Sequence, residues 1–144
     1  ADQGRLALAK LYLDQGKPDK AAEYLQQVAD GGHSAQMKSI GSLRLARVLA
    51  FQEKYDEALR ALKDPGQPAF AAAFHDVRGD VYFAMGKAAE ARSEYEQALN
   101  VEAANGLIDR TYVQAKLDDL GGATADLAAP AAAPAATPPA EPAP

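Results

Sequence analysis

Apolar residues recur at helical spacing along most of the chain, in pairs of adjacent segments. In the second segment of each pair, apolar side chains stand three or four positions apart, which places them on one face of a helix. These positions are Leu25 and Val28, Leu59 and Leu62, and Tyr95, Ala98 and Leu99. The pattern therefore predicts a succession of amphipathic helices that each bury one face.

The paired segments are copies of one unit. Three blocks align, at offsets of 37 and then 33 residues: residues 8–12, 45–49 and 78–82. Each block is followed by a turn and the start of a second helix, at residues 16–21, 53–58 and 86–91. Such helical hairpins stack in series, because a single unit cannot bury its apolar face alone.

Small residues occupy matching places in every copy. They are Ala9, Ala46 and Gly79 in the first helices, and Ala21, Ala58 and Ala91 in the second helices. Glycine inside a helix costs about 1 kcal/mol relative to alanine, so Gly79 indicates a close approach of two helices that compensates for this loss. Larger residues such as Tyr12, Leu49 and Tyr82 are expected to fill the space between hairpins.

The turns between paired helices differ in one position. Gly16 and Gly86 can adopt the left-handed conformation that ends a helix, whereas Glu53 stands at the matching place in the second unit. A residue with a side chain adopts that conformation only at a cost. We therefore expect the turn at Glu53 to be the least regular.

The order of small, large, glycine and alanine positions, in a unit of about 34 residues, resembles the tetratricopeptide repeat. The resemblance implies an all-α fold: a tetratricopeptide-repeat solenoid of about three helical hairpins. The segment 105–120 has Ile108, Tyr112 and Ala115 on one face. We expect it to form a C-terminal capping helix, because an uncovered last hairpin would leave its apolar face in water.

The composition changes abruptly near the C-terminal end. Residues 121–144 hold 11 alanines and 6 of the 9 prolines of the chain. Proline removes amide donors and disfavours helix in the residue before it. The chain is thus predicted to divide into a tetratricopeptide-repeat domain, residues 1–120, and a disordered Ala/Pro-rich tail, residues 121–144.

Charge and composition exclude several classes of function. The 144 residues include 15 Lys and Arg against 20 Asp and Glu, giving a formal charge of −5 and no basic stripe for nucleic acid. Without cysteine, disulfides, thiolate zinc sites and cysteine nucleophiles are absent. No apolar run approaches the roughly 20 residues that span a bilayer. Because the chain starts at Ala1 without methionine, we expect it to be a fragment that lacks an upstream segment.

Candidate catalytic and cofactor chemistry is sparse. The two histidines, His33 and His75, fall on different hairpins, which disfavours a shared metal. No glycine-rich phosphate-binding motif occurs, and no local motif supports a serine nucleophile. We predict no cofactor, no metal site and no catalytic residue, and hence a protein that is not an enzyme.

Three stretches go beyond a generic repeat: residues 43–47 with 55–59, residues 76–82 with 86–87 and 91–92, and residues 116–120. Together they resemble the ancillary subunit family of the bacterial SecYEG translocon, over about residues 3–121. Members of that family are single-pass inner-membrane proteins whose tetratricopeptide domain projects into the periplasm. The resemblance implies an N-terminal anchor, a location on the periplasmic side of the bacterial inner membrane, and three kinds of partner: the SecYEG translocon, a periplasmic chaperone and emerging secretory polypeptides.

The first helices of stacked hairpins line a concave face, and we predict that this face binds partners. The repeat pattern assigns these residues to it: Leu6, Lys10, Leu13, Ile40, Leu43, Arg47, Phe51, Asp76, Asp80 and Phe83. Apolar side chains beside charges suit an extended or helical segment of another protein. The alternative is that an upstream segment or the tail covers part of this face.

Opposite charges also stand on adjacent first helices, at Arg44, Arg47, Asp76, Arg78 and Asp80. We expect them to form ion pairs between hairpins, each exposed pair contributing about 0–1 kcal/mol.

Two functions fit these observations. The first is a protein-interaction module at the translocon, acting on chaperones and secretory polypeptides. The second is a cell-envelope scaffold or adaptor for division or outer-membrane assembly, with the same groove and no role in secretion. Under either hypothesis, a second copy of the chain is a further candidate partner, because the solenoid has open ends.

Overall fold

The computed structural model describes residues 1–101 and 107–121, and every regular element in these ranges is helical, with no strand. The helices are α1 (Asp2–Asp14), α2 (Pro18–Gly31), α3 (Ala35–Phe51), α4 (Tyr55–Ala61), α5 (Ala71–Ala84), α6 (Ala88–Asn100) and α7 (residues 110–121), with a 3-10 turn at Pro68–Phe70. The all-α prediction is confirmed. The predicted tail lies outside the described residues from position 122 onward.

Consecutive helices pack as hairpins, and the hairpins stack in series. α1 packs against α2, α3 against α4, and α5 against α6. α2 also packs along α3, and α5 lies against both α3 and α4. This arrangement confirms the predicted solenoid of three helical hairpins.

Two apolar cores hold the stack together. One runs through the first two hairpins and includes Phe74 and Val77 of α5, and the other joins α5, α6 and α7 around Tyr95. Leu43 on α3 packs against both cores. Because the two cores share this contact, the last hairpin and α7 continue the solenoid and are not a separate unit.

Glycines mark the places where helix backbones come closest. A Cβ atom on Gly41 would lie 2.6 Å from the backbone nitrogen of Ala29, and one on Gly79 would lie 2.5 Å from the ring of Tyr95. Contacts this short are not tolerated between heavy atoms, so only glycine fits at either site. Gly79 confirms the predicted close approach within the third hairpin, whereas the sequence analysis did not single out Gly41.

The alanines predicted at matching positions of the repeats are all buried. Ala21, Ala58 and Ala91 on the second helices are fully inaccessible, and so is Ala46 on α3, while Ala9 on α1 is 2% exposed. These alanines let each first helix lie closely against its partner.

The three hairpin turns have the same geometry. The backbone torsion φ is +72° at Gly16, +61° at Glu53 and +77° at Gly86. In each turn, the next amide donates to a carbonyl five residues earlier: Lys17 to Tyr12 at 2.8 Å, Lys54 to Leu49 at 2.8 Å, and Lys87 to Tyr82 at 2.9 Å. The expectation of an irregular turn at Glu53 is wrong, because this hydrogen bond and the flanking helices impose the left-handed conformation on glutamate.

The N-terminal end of α1 is fixed to the loop that follows α2. The Asp2 carboxylate, whose side chain is 6% exposed, accepts hydrogen bonds from the backbone N–H of His33 at 2.8 Å and from its Nδ1 at 2.9 Å. The His33 backbone N–H and ring lower the pKa of the Asp2 carboxyl below its ordinary value. The first hairpin is therefore closed at both ends, by this contact and by the turn at Gly16.

α7 covers the last hairpin through a different face from the predicted one. Ile108 is buried as expected, but Tyr112 is 61% exposed and Ala115 is also exposed. The buried positions in α7 are Val113 and Leu120, with Lys116 and Leu117 partly buried between them. Their i, i+3, i+4, i+7 spacing is as regular as the predicted one, so periodicity alone did not distinguish the two faces.

Replacing Glu53 with glycine should stabilise the fold. Glycine removes the steric cost of the left-handed conformation, about 1–2 kcal/mol, and adds an entropic cost of about 0.5–1 kcal/mol. We expect Glu53→Gly to raise the free energy of unfolding by about 0.5–1 kcal/mol, measured by urea denaturation. Gly86→Ala is the matched reverse change and should lower it; a loss of stability in Glu53→Gly would contradict this account.

Gly41→Ala should destabilise the protein by about 2–3 kcal/mol, because its Cβ meets backbone atoms of α2 that cannot rotate away. Gly4→Ala on α1 provides the control, since a Cβ there meets nothing within 4 Å. Alanine is the better helix former, so Gly4→Ala should leave stability equal or higher. Equal thermal midpoints for the two variants would refute the close-approach argument.

Candidate functional site

The face predicted to be concave is the one that the first helices of the hairpins, α1, α3 and α5, would form. Leu6, Lys10 and Leu13 lie at i, i+4, i+7 positions of α1 and so form one stripe. On α3, Arg47 and Phe51 form the corresponding exposed stripe. Leu6, Lys10 and Leu13 of α1 and Arg47 of α3 line a groove between the two helices, and Phe51 lies outside it.

The groove between α1 and α3 has a volume of about 320 Å³. Its lining residues are Leu6, Ala9, Lys10, Leu13, Leu25, Arg44, Arg47 and Val48. The structure thus brings together Leu6, Lys10, Leu13 and Arg47 of the predicted face. The other four residues were not predicted for this face. Leu25 lies on a second helix, outside a first-helix pattern, whereas Ala9, Arg44 and Val48 lie on first helices beside the predicted positions.

The floor of this groove is apolar and its rim is cationic. Leu6, Ala9, Leu25 and Val48 are each at most 6% exposed, and the rim carries Lys10 from α1 with Arg44 and Arg47 from α3. No acidic side chain from the part of the chain that the structure describes lines the groove. Within residues 1–101 and 107–121, none of the three cations has a carboxylate within ion-pair distance.

The remaining predicted residues of α3 differ in exposure. Phe51 is 79% exposed at the end of the helix. Ile40 and Leu43 are half-buried and pack against the apolar core, so they offer a partner less accessible surface than Phe51. Phe51 is therefore the most accessible apolar side chain predicted for this face.

A second hollow, of about 380 Å³, lies where α5, α6 and α7 meet. It is lined by Asp80, Phe83, Tyr95, Tyr112, Lys116 and Asp119. Phe83 is 58% exposed, as a binding residue would be. The sequence analysis placed Asp80 and Phe83 on the face but did not foresee the residues from α6 and α7.

Lys116 of α7 bridges two carboxylates of α5. Its Nζ donates to Oδ1 of Asp76 at 2.7 Å and to Oδ1 of Asp80 at 2.8 Å. The Tyr95 hydroxyl donates to the same Asp80 oxygen at 2.5 Å, and the Lys116 ammonium lies 4.9 Å from the centre of the Tyr95 ring. Asp76 is only 9% exposed, so α7 buries a residue that was expected on the open face.

The expected ion pairs between hairpins do not form within the described ranges. Arg78 instead binds Glu94 of α6 at 3.1 Å and donates to the carbonyl of Leu62, while His75 Nδ1 lies 2.8 Å from the same Glu94 oxygen. Arg78 therefore joins α5 to α6 and to the end of α4. The prediction failed because Lys116 and Glu94 offer shorter, better-buried partners than the neighbouring first helices.

Lys116, Asp76, Asp80 and Tyr95 form what we call the Lys116 cluster. Burial is the largest influence on the pKa values of Asp76, Tyr95 and Lys116. Desolvation raises the pKa of Asp76, and the hydrogen bond from Lys116 opposes this shift without cancelling it. Desolvation alone would lower the pKa of Lys116, but hydrogen bonds to Asp76 and Asp80 outweigh it and raise that pKa. Burial and the hydrogen bond to Asp80 also raise the pKa of Tyr95.

The polar side chains described above take part in packing, hydrogen bonds and ion pairs within the protein. Among residues 1–101 and 107–121, no cluster of three or more His, Asp or Glu side chains is arranged to hold a metal ion. In the same ranges, no helix is both long and apolar enough to cross a bilayer. The accessible features of the concave face are its groove and its exposed aromatic side chains, which suit the binding of another protein.

The stacked helical hairpins define an α-helical repeat protein. Residues 1–122 match the family described as a tetratricopeptide repeat-like domain, and the chain belongs to that family.

Two relatives are both named ancillary SecYEG translocon subunit. One, from Neisseria gonorrhoeae, is 35% identical over 120 residues, which is 83% of this chain and 57% of the relative. The other, from Aggregatibacter actinomycetemcomitans, is 27% identical over 112 residues, or 78% of this chain and 53% of the relative. The resemblance inferred from the sequence is confirmed, and the chain spans about half the length of these relatives.

The Lys116 cluster predicts a loss of stability in alkali. Tyr95 and Lys116 have pKa values raised above their ordinary 10.0 and 10.5, so the folded chain retains protons there that the unfolded chain releases. Stability must then fall as pH rises above about 10. Tyr95→Phe should flatten this decline in denaturation curves recorded at increasing pH, whereas Tyr112→Phe, at an exposed ring, should not. An unchanged slope in Tyr95→Phe would contradict the prediction.

Proposed function

We propose that this chain is a non-enzymatic protein-interaction domain of an ancillary subunit of the Sec translocon. In this proposal it lies on the periplasmic side of the bacterial inner membrane and links the translocon to a periplasmic chaperone and to emerging secretory polypeptides. The observation that carries it is the open groove between α1 and α3, in a chain related to ancillary SecYEG translocon subunits.

Exposed apolar side chains on the concave face support a protein-binding role. Phe51 is 79% exposed, Phe83 58% and Leu13 40%, on three successive first helices. Large apolar side chains on one face of a soluble domain are typical of interaction surfaces, since monomers otherwise avoid such patches. Their spread along the stack suits an extended or helical segment more than a small molecule.

Binding and stability can be separated on this face. Arg47 and Phe51 are both exposed, and neither forms a hydrogen bond through its side chain with another described residue. Arg47→Gln and Phe51→Ala should therefore change the free energy of unfolding by no more than about 0.5 kcal/mol. The binding face defined by the groove, Phe51 and Phe83 can then be tested without disrupting the fold.

We expect site-specific photocrosslinking from Phe51, in the full-length protein in its own bacterium, to capture neighbours of the concave face. Phe51 is replaced by a photoreactive amino acid and the crosslinked proteins are identified by mass spectrometry. Translocon subunits, a periplasmic chaperone or secretory polypeptides are the expected products. Gln97, exposed on α6, is the matched control position and should not give them.

Other outcomes would overturn parts of the proposal. Crosslinks confined to division or envelope-assembly proteins would favour the scaffold function over a role in secretion. Equal products from Phe51 and Gln97, or none from Phe51, would move the interaction away from the concave face. Melting of Arg47→Gln or Phe51→Ala far below the unmodified chain would show that these residues maintain the fold.

A further inference from the structure

We propose that the groove between α1 and α3 binds an acidic protein segment with aliphatic side chains. This inference rests on the proposed function, since it specifies the partner of the same face. The inference specifies the chemistry of the bound segment. Its evidence is the set of charged and apolar side chains that line the groove.

The charge of the groove is opposite to that of the chain. The protein has a net charge of −5, yet the charged side chains that line the groove, among the described residues, are the cations Lys10, Arg44 and Arg47. Lys10 stands on α1 and the two arginines on α3, so positive charge borders the groove on both sides. Electrostatic complementarity of this kind selects partners by sign and accelerates their association.

Nearby carboxylates do not neutralise these cations. Asp76 and Asp80, the acidic residues of the neighbouring first helix, are held by Lys116 at 2.7 and 2.8 Å. Burial raises the pKa of Asp76, and the charge of Arg47 is the smallest of the effects that oppose this rise; within the described residues the two side chains form no ion pair. Lys116 thus satisfies the acids of α5 and leaves the arginines of α3 available to a partner.

The apolar floor specifies the rest of the segment. Leu6 and Leu25 are 6% and 2% exposed, so their surfaces form a closed floor, while Leu13 at the rim is 40% exposed. A volume of about 320 Å³ is at the lower limit of ligand pockets. It therefore accepts a small number of aliphatic side chains, and the flanking carboxylates of the segment reach the guanidinium groups of Arg44 and Arg47.

A larger hollow on another side of the protein has different chemistry. The space between α2 and α4, about 1160 Å³, is lined by Asp19, Glu23, Asp30 and Glu57 as well as Lys54 and Arg60. Its mixed, mainly acidic lining does not favour an anionic partner. The cationic groove is therefore the better candidate for an acidic segment, and Arg60 supplies a matched control.

The test measures binding of the full chain to a fluorescein-labelled peptide of alternating glutamate and leucine, by fluorescence anisotropy. Two peptides provide contrast: one with glutamine in place of glutamate and one with serine in place of leucine. Binding of the first peptide should weaken as salt is raised. The two substituted peptides should each bind about tenfold more weakly, because each lacks one of the two contacts.

Paired substitutions identify the surface involved. Arg44→Gln with Arg47→Gln should weaken peptide binding by about ten- to a hundredfold, as expected for lost charge-assisted hydrogen bonds. Arg60→Gln with Lys63→Gln removes the same charge from exposed positions elsewhere and should change binding by less than about twofold. Circular dichroism establishes that both variants remain folded.

Three results would overturn the inference: no binding of the acidic peptide, equal binding of the glutamine peptide, or equal losses in both double variants. Binding of phosphatidylglycerol vesicles through Arg44 and Arg47, without peptide binding, would assign the groove to anionic lipid and would also refute it. Failure of the peptide test together with translocon crosslinks from Phe51 would leave the proposed function intact. Peptide binding without those crosslinks would support the inference about the groove and would refute only the proposed contact of Phe51 with the translocon.

Discussion

Close approach of helix backbones is the constraint on which this solenoid depends. At Gly41 an added Cβ would meet the backbone of α2, and at Gly79 it would meet the Tyr95 ring. Fully buried alanines serve the same purpose at matching positions of the second helices. Because these contacts set how closely each helix lies on its neighbour, they also set the register of the first helices and so position the side chains of the concave face.

α7 determines which part of that face stays open. Lys116 crosses to Asp76 and Asp80 and stacks near Tyr95, so it buries one acidic side chain and holds the other. A buried carboxylate is tolerated only when it is paired and hydrogen-bonded. The acidic end of the face is thereby used for internal packing, whereas no helix among residues 1–101 and 107–121 covers the groove between α1 and α3.

The fold could be predicted from the sequence because its repeats encode local features: alternating helices, small residues at contacts, and turns of fixed length. The prediction failed where a tertiary contact decides between equivalent local choices. α7 carries two plausible apolar stripes, and its packing against α5 and α6 selects Val113 over Tyr112. Glu53 adopts a glycine-like conformation because the helices on either side require it. Arg44 and Leu25 belong to the groove through the packing of three helices, which no single repeat reveals.

Charged side chains are paired with one another at the α5 end of the face and exposed at the α1 end. The difference follows from burial. At the α5 end, desolvation made pairing necessary, and Lys116 supplies it. At the α1 end, Lys10, Arg44 and Arg47 are exposed, so water solvates them at little cost and no internal carboxylate is required. A partner that covered the apolar floor would remove that water, and an uncompensated cation would then oppose binding. If the groove binds the proposed segment, its cations would select by charge twice: by long-range attraction during association, and after filling, when an uncompensated cation would disfavour a neutral or basic segment.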